Sequence, residues 1–116
     1  MARFMAAGHT GDFNDGTMKE VRLQERGILL ARAGGRYYAV DGRCPHLGGN
    51  LAQGKLYGTI VTCPRHGSQF DITDGRVIRW LKSPGLISTI SKVFKPPSKL
   101  KTYRVRIEGD NILIEI

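Results

Sequence analysis

The chain has 116 residues, 41% of them hydrophobic, and a formal net charge of +8. That length allows one domain with one modest core and excludes a large enclosed active-site cavity. No apolar run approaches the roughly 20 residues of a membrane span, and the N-terminal stretch turns polar too soon for a secretory signal. We therefore expect a single domain over 1–116, cytoplasmic, with no membrane span.

In chain order, almost every segment reads as a short strand between turn residues. Residues 4–7 form a plausible first strand, and 19–23 alternate polar and apolar side chains. Residues 27–33 carry Ile28, Leu29 and Leu30. Gly34-Gly35 then separates that run from 37–40, a strong two-residue hairpin signal. Residues 59–62 are all β-branched. Residues 100–108 place Tyr103, Val105 and Ile107 on one face, and Gly109-Asp110 turns the chain into 112–116, with Ile112, Ile114 and Ile116 alternating. This rhythm predicts an all-β fold, a small antiparallel sandwich or barrel. One segment departs from it. Between Pro84-Gly85 and Pro96-Pro97, Leu86, Ile87, Ile90, Val93 and Phe94 follow an amphipathic helical spacing, so a short helix-like insertion is expected at about 79–97.

The positive charge is concentrated. Residues 76–107 hold nine basic residues (Arg76, Arg79, Lys82, Lys92, Lys95, Lys99, Lys101, Arg104 and Arg106) and no acidic one. Such a patch either keeps a face solvated or steers the protein toward anionic partners. Few aromatic residues interleave it and no nucleic-acid motif accompanies it, so nucleic acid is not the expected partner.

Two strings carry the chemistry: Cys44-Pro45-His46 and Cys63-Pro64-Arg65-His66, which contain both cysteines and two of the three histidines. Both lie in Gly/Pro-rich stretches between strands, hence on loops. In a reducing compartment a Cys-plus-His pattern points to metal more than to a disulfide. A structural zinc site usually draws its two cysteines from one turn and its two histidines from another element. Here each loop offers a mixed pair, which suits a binuclear centre with two thiolates on one iron and two imidazoles on the other. A zinc-stapled β-domain remains the alternative. His9 has no cysteine nearby and is read as a solvent-exposed loop residue; Trp80 is read as packing.

The motif C-x-H, a gap of sixteen residues and C-x-x-H resembles the ligand signature of the Rieske family. The flanks agree: Leu47-Gly48-Gly49 after the first pair, Gly67-Ser68-Gln69-Phe70-Asp71 after the second, and Tyr38-Ala39-Val40-Asp41 leading in. The resemblance covers about 17–78 and 96–116. It implies one Rieske-type 2Fe-2S cluster per chain, bound by Cys44, His46, Cys63 and His66 within cluster-binding loops at about 43–71. Gly48, Gly49, Arg65, Gly67, Ser68 and Phe70 would surround it. Glycines there let backbone N–H groups come close to the sulfides, and Arg65 is expected exposed beside the cluster. Neutral imidazoles in place of two thiolates leave the oxidised centre uncharged, so a further electron is easier to add. Family potentials accordingly run roughly from −150 to +300 mV, against about −400 mV for all-cysteine plant-type centres.

High-potential respiratory members of the family carry one extra cysteine per loop, joined as a disulfide. The matching positions here are Gly49 and Arg65, so that bridge cannot form. Those members also direct a serine and a tyrosine at the cluster sulfurs; Ser68 matches the serine, while Phe70 stands where the tyrosine would be. Fewer donors leave charge on sulfur less stabilised, and a low-to-intermediate potential is expected. The family's third loop contributes a covering proline, which would be Pro84 or Pro97 here.

The resemblance implies a soluble ferredoxin that passes single electrons from a reductase to an oxygenase-type acceptor, each docking through an acidic face, and that is not itself an enzyme. A small Rieske-like subunit of a nitrite reductase or similar assembly is the first alternative. A zinc-stabilised binding module and a redox sensor are the others.

Overall fold

The computed structural model describes residues 3–45, 48–65, 67–79 and 98–116. The expected helix-like segment, Trp80, Pro84 and Pro96-Pro97 lie outside the described residues, as do His46 and His66. Among the described residues there are eleven strands, all paired antiparallel, and only single 3₁₀ turns at Thr10–Asp12 and Leu51–Gln53. No helix among them is long and apolar enough to cross a membrane.

The strands are β1 (Phe4–His9), β2 (Thr17–Leu23), β3 (Arg26–Ala33), β4 (Arg36–Asp41), β5 (Lys55–Tyr57), β6 (Ile60–Thr62), β7 (Gln69–Asp71), β8 (Val77–Arg79), β9 (Thr102–Tyr103), β10 (Val105–Glu108) and β11 (Asn111–Glu115). They form three sheets with orders β1-β11-β10, β2-β3-β4-β9 and β5-β6-β7-β8. The second sheet has apolar residues on both faces, and β3 shows why. Ile28, Leu29, Leu30 and Ala31 are all buried, and alternate side chains of a strand face opposite sides. Ile28 and Leu30 pack with Ala39, Tyr103, Ile112 and Ile114 on one side. Leu29 and Ala31 pack with Val40, Val61, Phe70 and Ile72 on the other. A strand covered on both faces reads as a continuous apolar run, as 28–31 does. Each of the three large side chains contributes about 1.5–3 kcal/mol by leaving water.

The Gly34-Gly35 turn is present as expected. Both residues have positive φ, 60° and 77°, and the Asp15 carboxylate accepts from both N–H groups at 3.1 and 2.7 Å. The β2–β3 hairpin uses the same kind of turn at Gln24-Glu25, with φ of 50° and 66°. Neither residue type signals a left-handed turn, because only the register of the flanking strands enforces it.

The stretch 100–108, expected as one strand, is two. Tyr103 pairs with Ala39 in the middle sheet, whereas Val105–Glu108 pairs with β11. The chain changes sheets at Arg104, whose carbonyl accepts from the Glu115 N–H at 2.9 Å. The supposed single face divides accordingly: Tyr103 is buried, while Ile107 is 43% exposed. His9 is exposed, at the end of β1 opposite Asn111 and not in a loop.

Candidate metal centre

The β5–β8 sheet is inserted between β4 and β9, and it brings the loop of Cys44 against the loop of Cys63. The first follows β4; the second joins β6 to β7. Tyr103 fixes the base of the first loop: its hydroxyl donates to Asp41 Oδ1 at 2.6 Å, three residues ahead of Cys44. Burial, and then the Asp41 carboxylate, push the Tyr103 phenol above its ordinary range, so this donor stays protonated.

The two loops share one backbone design. In the first, the Cys44 N–H donates to the Gly49 carbonyl at 2.8 Å, and the Gly48 N–H donates to the Cys44 carbonyl at 2.8 Å. In the second, the Cys63 N–H donates to the Ser68 carbonyl at 2.8 Å, and the Gly67 N–H to the Cys63 carbonyl at 3.1 Å. In each, the glycine four residues after the cysteine has positive φ, 75° at Gly48 and 76° at Gly67. These glycines are required: an L side chain there would strain a turn already closed from both ends.

The loops touch. A Cβ added to Gly49 would lie 2.7 Å from Cys63 Sγ and 3.0 Å from Arg65 Cγ. One loop therefore presents a bare backbone to the sulfur of the other. Gly54, at the exit of the first loop, is pressed against the Thr62 carbonyl at the entry to the second. Cys44 and Cys63 are 2% and 3% exposed and belong to the same apolar cluster as Leu51, Val61 and Phe70. Two buried sulfurs in matched, abutting loops fit the sulfur side of a small iron–sulfur centre.

Of the surrounding residues expected from the sequence, Ser68 and Phe70 are fully buried, Gly49 is buried, and Gly48 and Arg65 are exposed. Gly49 and Arg65, the two positions matched to the respiratory disulfide, are neighbours in space.

The family model for the Rieske [2Fe-2S] domain matches residues 3–104. The chain belongs to the Rieske family. It therefore carries a Rieske-type 2Fe-2S cluster, and the two buried cysteine sulfurs described above suit its thiolate side. Apoptosis-inducing factor 3 of Mus musculus is 33% identical over 106 residues, 91% of this chain. The chain spans only 15% of the length of that relative. The ferredoxin component of a naphthalene 1,2-dioxygenase system from Pseudomonas aeruginosa is 28% identical over 88% of this chain and 85% of its own. The structure of the Sphingomonas yanoikuyae B1 ferredoxin superposes with a TM-score of 0.78 at 25% identity, covering 98% of this Rieske chain and 99% of the other.

Two further side chains, Arg79 and Asp71, brace the segments beside the Rieske loops. Arg79 in β8 donates through Nε and Nη2 to the Gly67 carbonyl at 3.2 and 3.0 Å. Asp71, just beyond the second loop, is a buried carboxylate that accepts from the Thr73 N–H at 3.0 Å, Thr73 Oγ1 at 2.7 Å and Arg76 Nη2 at 3.3 Å. Burial raises its pKa, but these donors, with the Thr59 side chain, outweigh that and hold it below the ordinary carboxylate value. Because the folded-state pKa is depressed, Asp71 contributes its full stability above the unfolded value of about 3.9, and loses it as pH falls through the folded value. We expect Asp71→Asn to be clearly less stable than the parent in urea unfolding at neutral pH, with the gap narrowing below about pH 4. A gap independent of pH would show that charge is not what Asp71 supplies.

Proposed function

We propose that this protein is a soluble, cytoplasmic one-electron carrier in which Cys44 and Cys63 give thiolates, and His46 and His66 give imidazoles, to the cluster. The bound cluster supplies a one-electron couple. Around it the chain's own task is to hold its ligands still: the matched hydrogen-bonded loops and the Gly49–Cys63 approach limit rearrangement between oxidation states. We read the chain as a carrier, not an enzyme, comprising one domain over 1–116. It takes electrons from a reductase and passes them to an oxygenase-type acceptor, with the basic stretch 76–107 suited to partners with acidic docking faces.

The observation that carries this reading is the near end-to-end match with a dioxygenase ferredoxin component, 88% of this chain against 85% of that one. The 33% identity to part of a much longer protein supports a second reading, in which the domain serves as a small component of a larger oxidoreductase.

Purified anaerobically and reduced with dithionite, the protein is expected to show a rhombic Rieske resonance, and its potential should fall below the top of the family's range of roughly +300 mV. Reoxidation should then be accelerated by an oxygenase that contains a Rieske centre, with a rate that falls as salt rises. Stoichiometric co-purification with a large catalytic chain, and no exchange with free oxygenases, would favour the second reading.

A further inference from the structure

We propose that Arg79 sets the reduction potential by placing a permanent positive charge on the second ligand loop. This rests on the ligand assignment above and adds a residue to it. Arg79 lies in β8 opposite Gln69, on the row that leads into the loop. Its guanidinium donates twice to the carbonyl of Gly67, whose N–H in turn donates to the Cys63 carbonyl. A forked, charge-assisted contact of this kind fixes both the position and the orientation of the charge.

Three features coincide at Arg79 and at no other described residue of the basic stretch. It is half-buried, so solvent screens it less than an exposed charge. Guanidinium does not lose its proton in proteins, so the charge is constant with pH. Among the described residues no carboxylate lies within ion-pair distance of it. Arg76, by contrast, faces Asp71 at 3.3 Å and Asp74 at 3.8 Å, and Arg106 faces Glu108 at 3.0 Å. Those charges are largely cancelled locally; that of Arg79 is not. Reduction adds negative charge next to this loop, and an uncompensated cation there favours the reduced state.

Redox titration of the holoprotein tests this with three variants. Arg79→Gln keeps hydrogen-bonding groups and removes the charge. It is expected to lower the reduction equilibrium constant about three- to tenfold, tenfold being 59 mV for a one-electron couple. Arg79→Lys keeps the charge and should stay within about twofold of the parent. Arg36→Gln, an exposed position at the start of β4, makes the same change in net charge and should also stay within about twofold.

An unchanged potential in Arg79→Gln overturns the proposal. So does an equal shift in Arg36→Gln, or a shift in Arg79→Lys as large as in the glutamine variant, since the fork geometry would then matter and the charge would not. If Arg79→Gln does not retain iron, the lysine variant decides, and failure of both to load also overturns it. A parent protein without iron or acid-labile sulfide is a different failure, that of the ligand assignment itself.

Discussion

Cys63→Ser is expected to yield a folded but colourless protein, with iron and acid-labile sulfide near zero per chain and no rhombic resonance after dithionite. Serine preserves the shape of the side chain, but its hydroxyl stays protonated and does not replace a thiolate on iron. Circular dichroism should report the same strand content as the parent, because Cys63 touches the apolar cluster and no strand depends on its sulfur. His9→Ala, at the exposed end of β1, should retain the cluster fully. A Cys63→Ser protein that kept its colour and its iron would remove Cys63 from the ligand set. A colourless parent that contained zinc would return the sequence to the zinc-stapled alternative.

Gly75→Ala is expected to destabilise the fold by about 3 kcal/mol or more. Gly75 sits at φ +80°, and an added Cβ would drive into the Leu100 carbonyl. The backbone has no room to retreat. The Gly75 N–H donates to the Asp71 carbonyl at 2.7 Å, and the Gly75 carbonyl accepts from the Leu100 N–H at 2.8 Å. Leu100 itself is buried among the residues behind both cysteines, so a shift here spreads to the loops. Gly58→Ala is the comparison. Gly58 has φ +56° with open space around it, and should cost only about 1 kcal/mol of left-handed strain. Urea unfolding of both variants decides: equal losses would mean that the Leu100 contact yields easily.

How much was legible depended on whether a feature was local. The hairpins at Gly34-Gly35 and Gly109-Asp110 announced themselves because glycine is the residue those turns demand. The turn at Gln24-Glu25 did not, since there the strands impose a conformation that the residues disfavour. The strands β5, β7 and β8 have three residues each, too short for alternation to register. The division of 100–108 at Arg104 depends on which sheets accept the two halves, and no spacing within the segment encodes that.

For the centre, the cysteines and their glycines were readable because the two loops repeat a short pattern. Gly49 and Arg65 could be paired from the family resemblance, and the fold does set them side by side. The role of Arg79 and the distant partners of Asp71 were not readable. Gly67 and Thr59 are brought to them by the β6–β7–β8 meander, whereas Thr73 is a local partner two residues on, and a basic residue in a basic stretch carries no mark of where its charge is used.

The meeting of Gly49 with Arg65 and Cys63 has a consequence for the conditions in which this centre survives. Respiratory relatives lock the same place with a covalent sulfur bridge, which a strong thiol reductant can open. Here the clasp is a backbone against the methylene stem of an arginine, and the chain's only two cysteines are assigned to iron. Nothing in that clasp can be reduced, so the grip on the cofactor should be indifferent to the ambient glutathione poise.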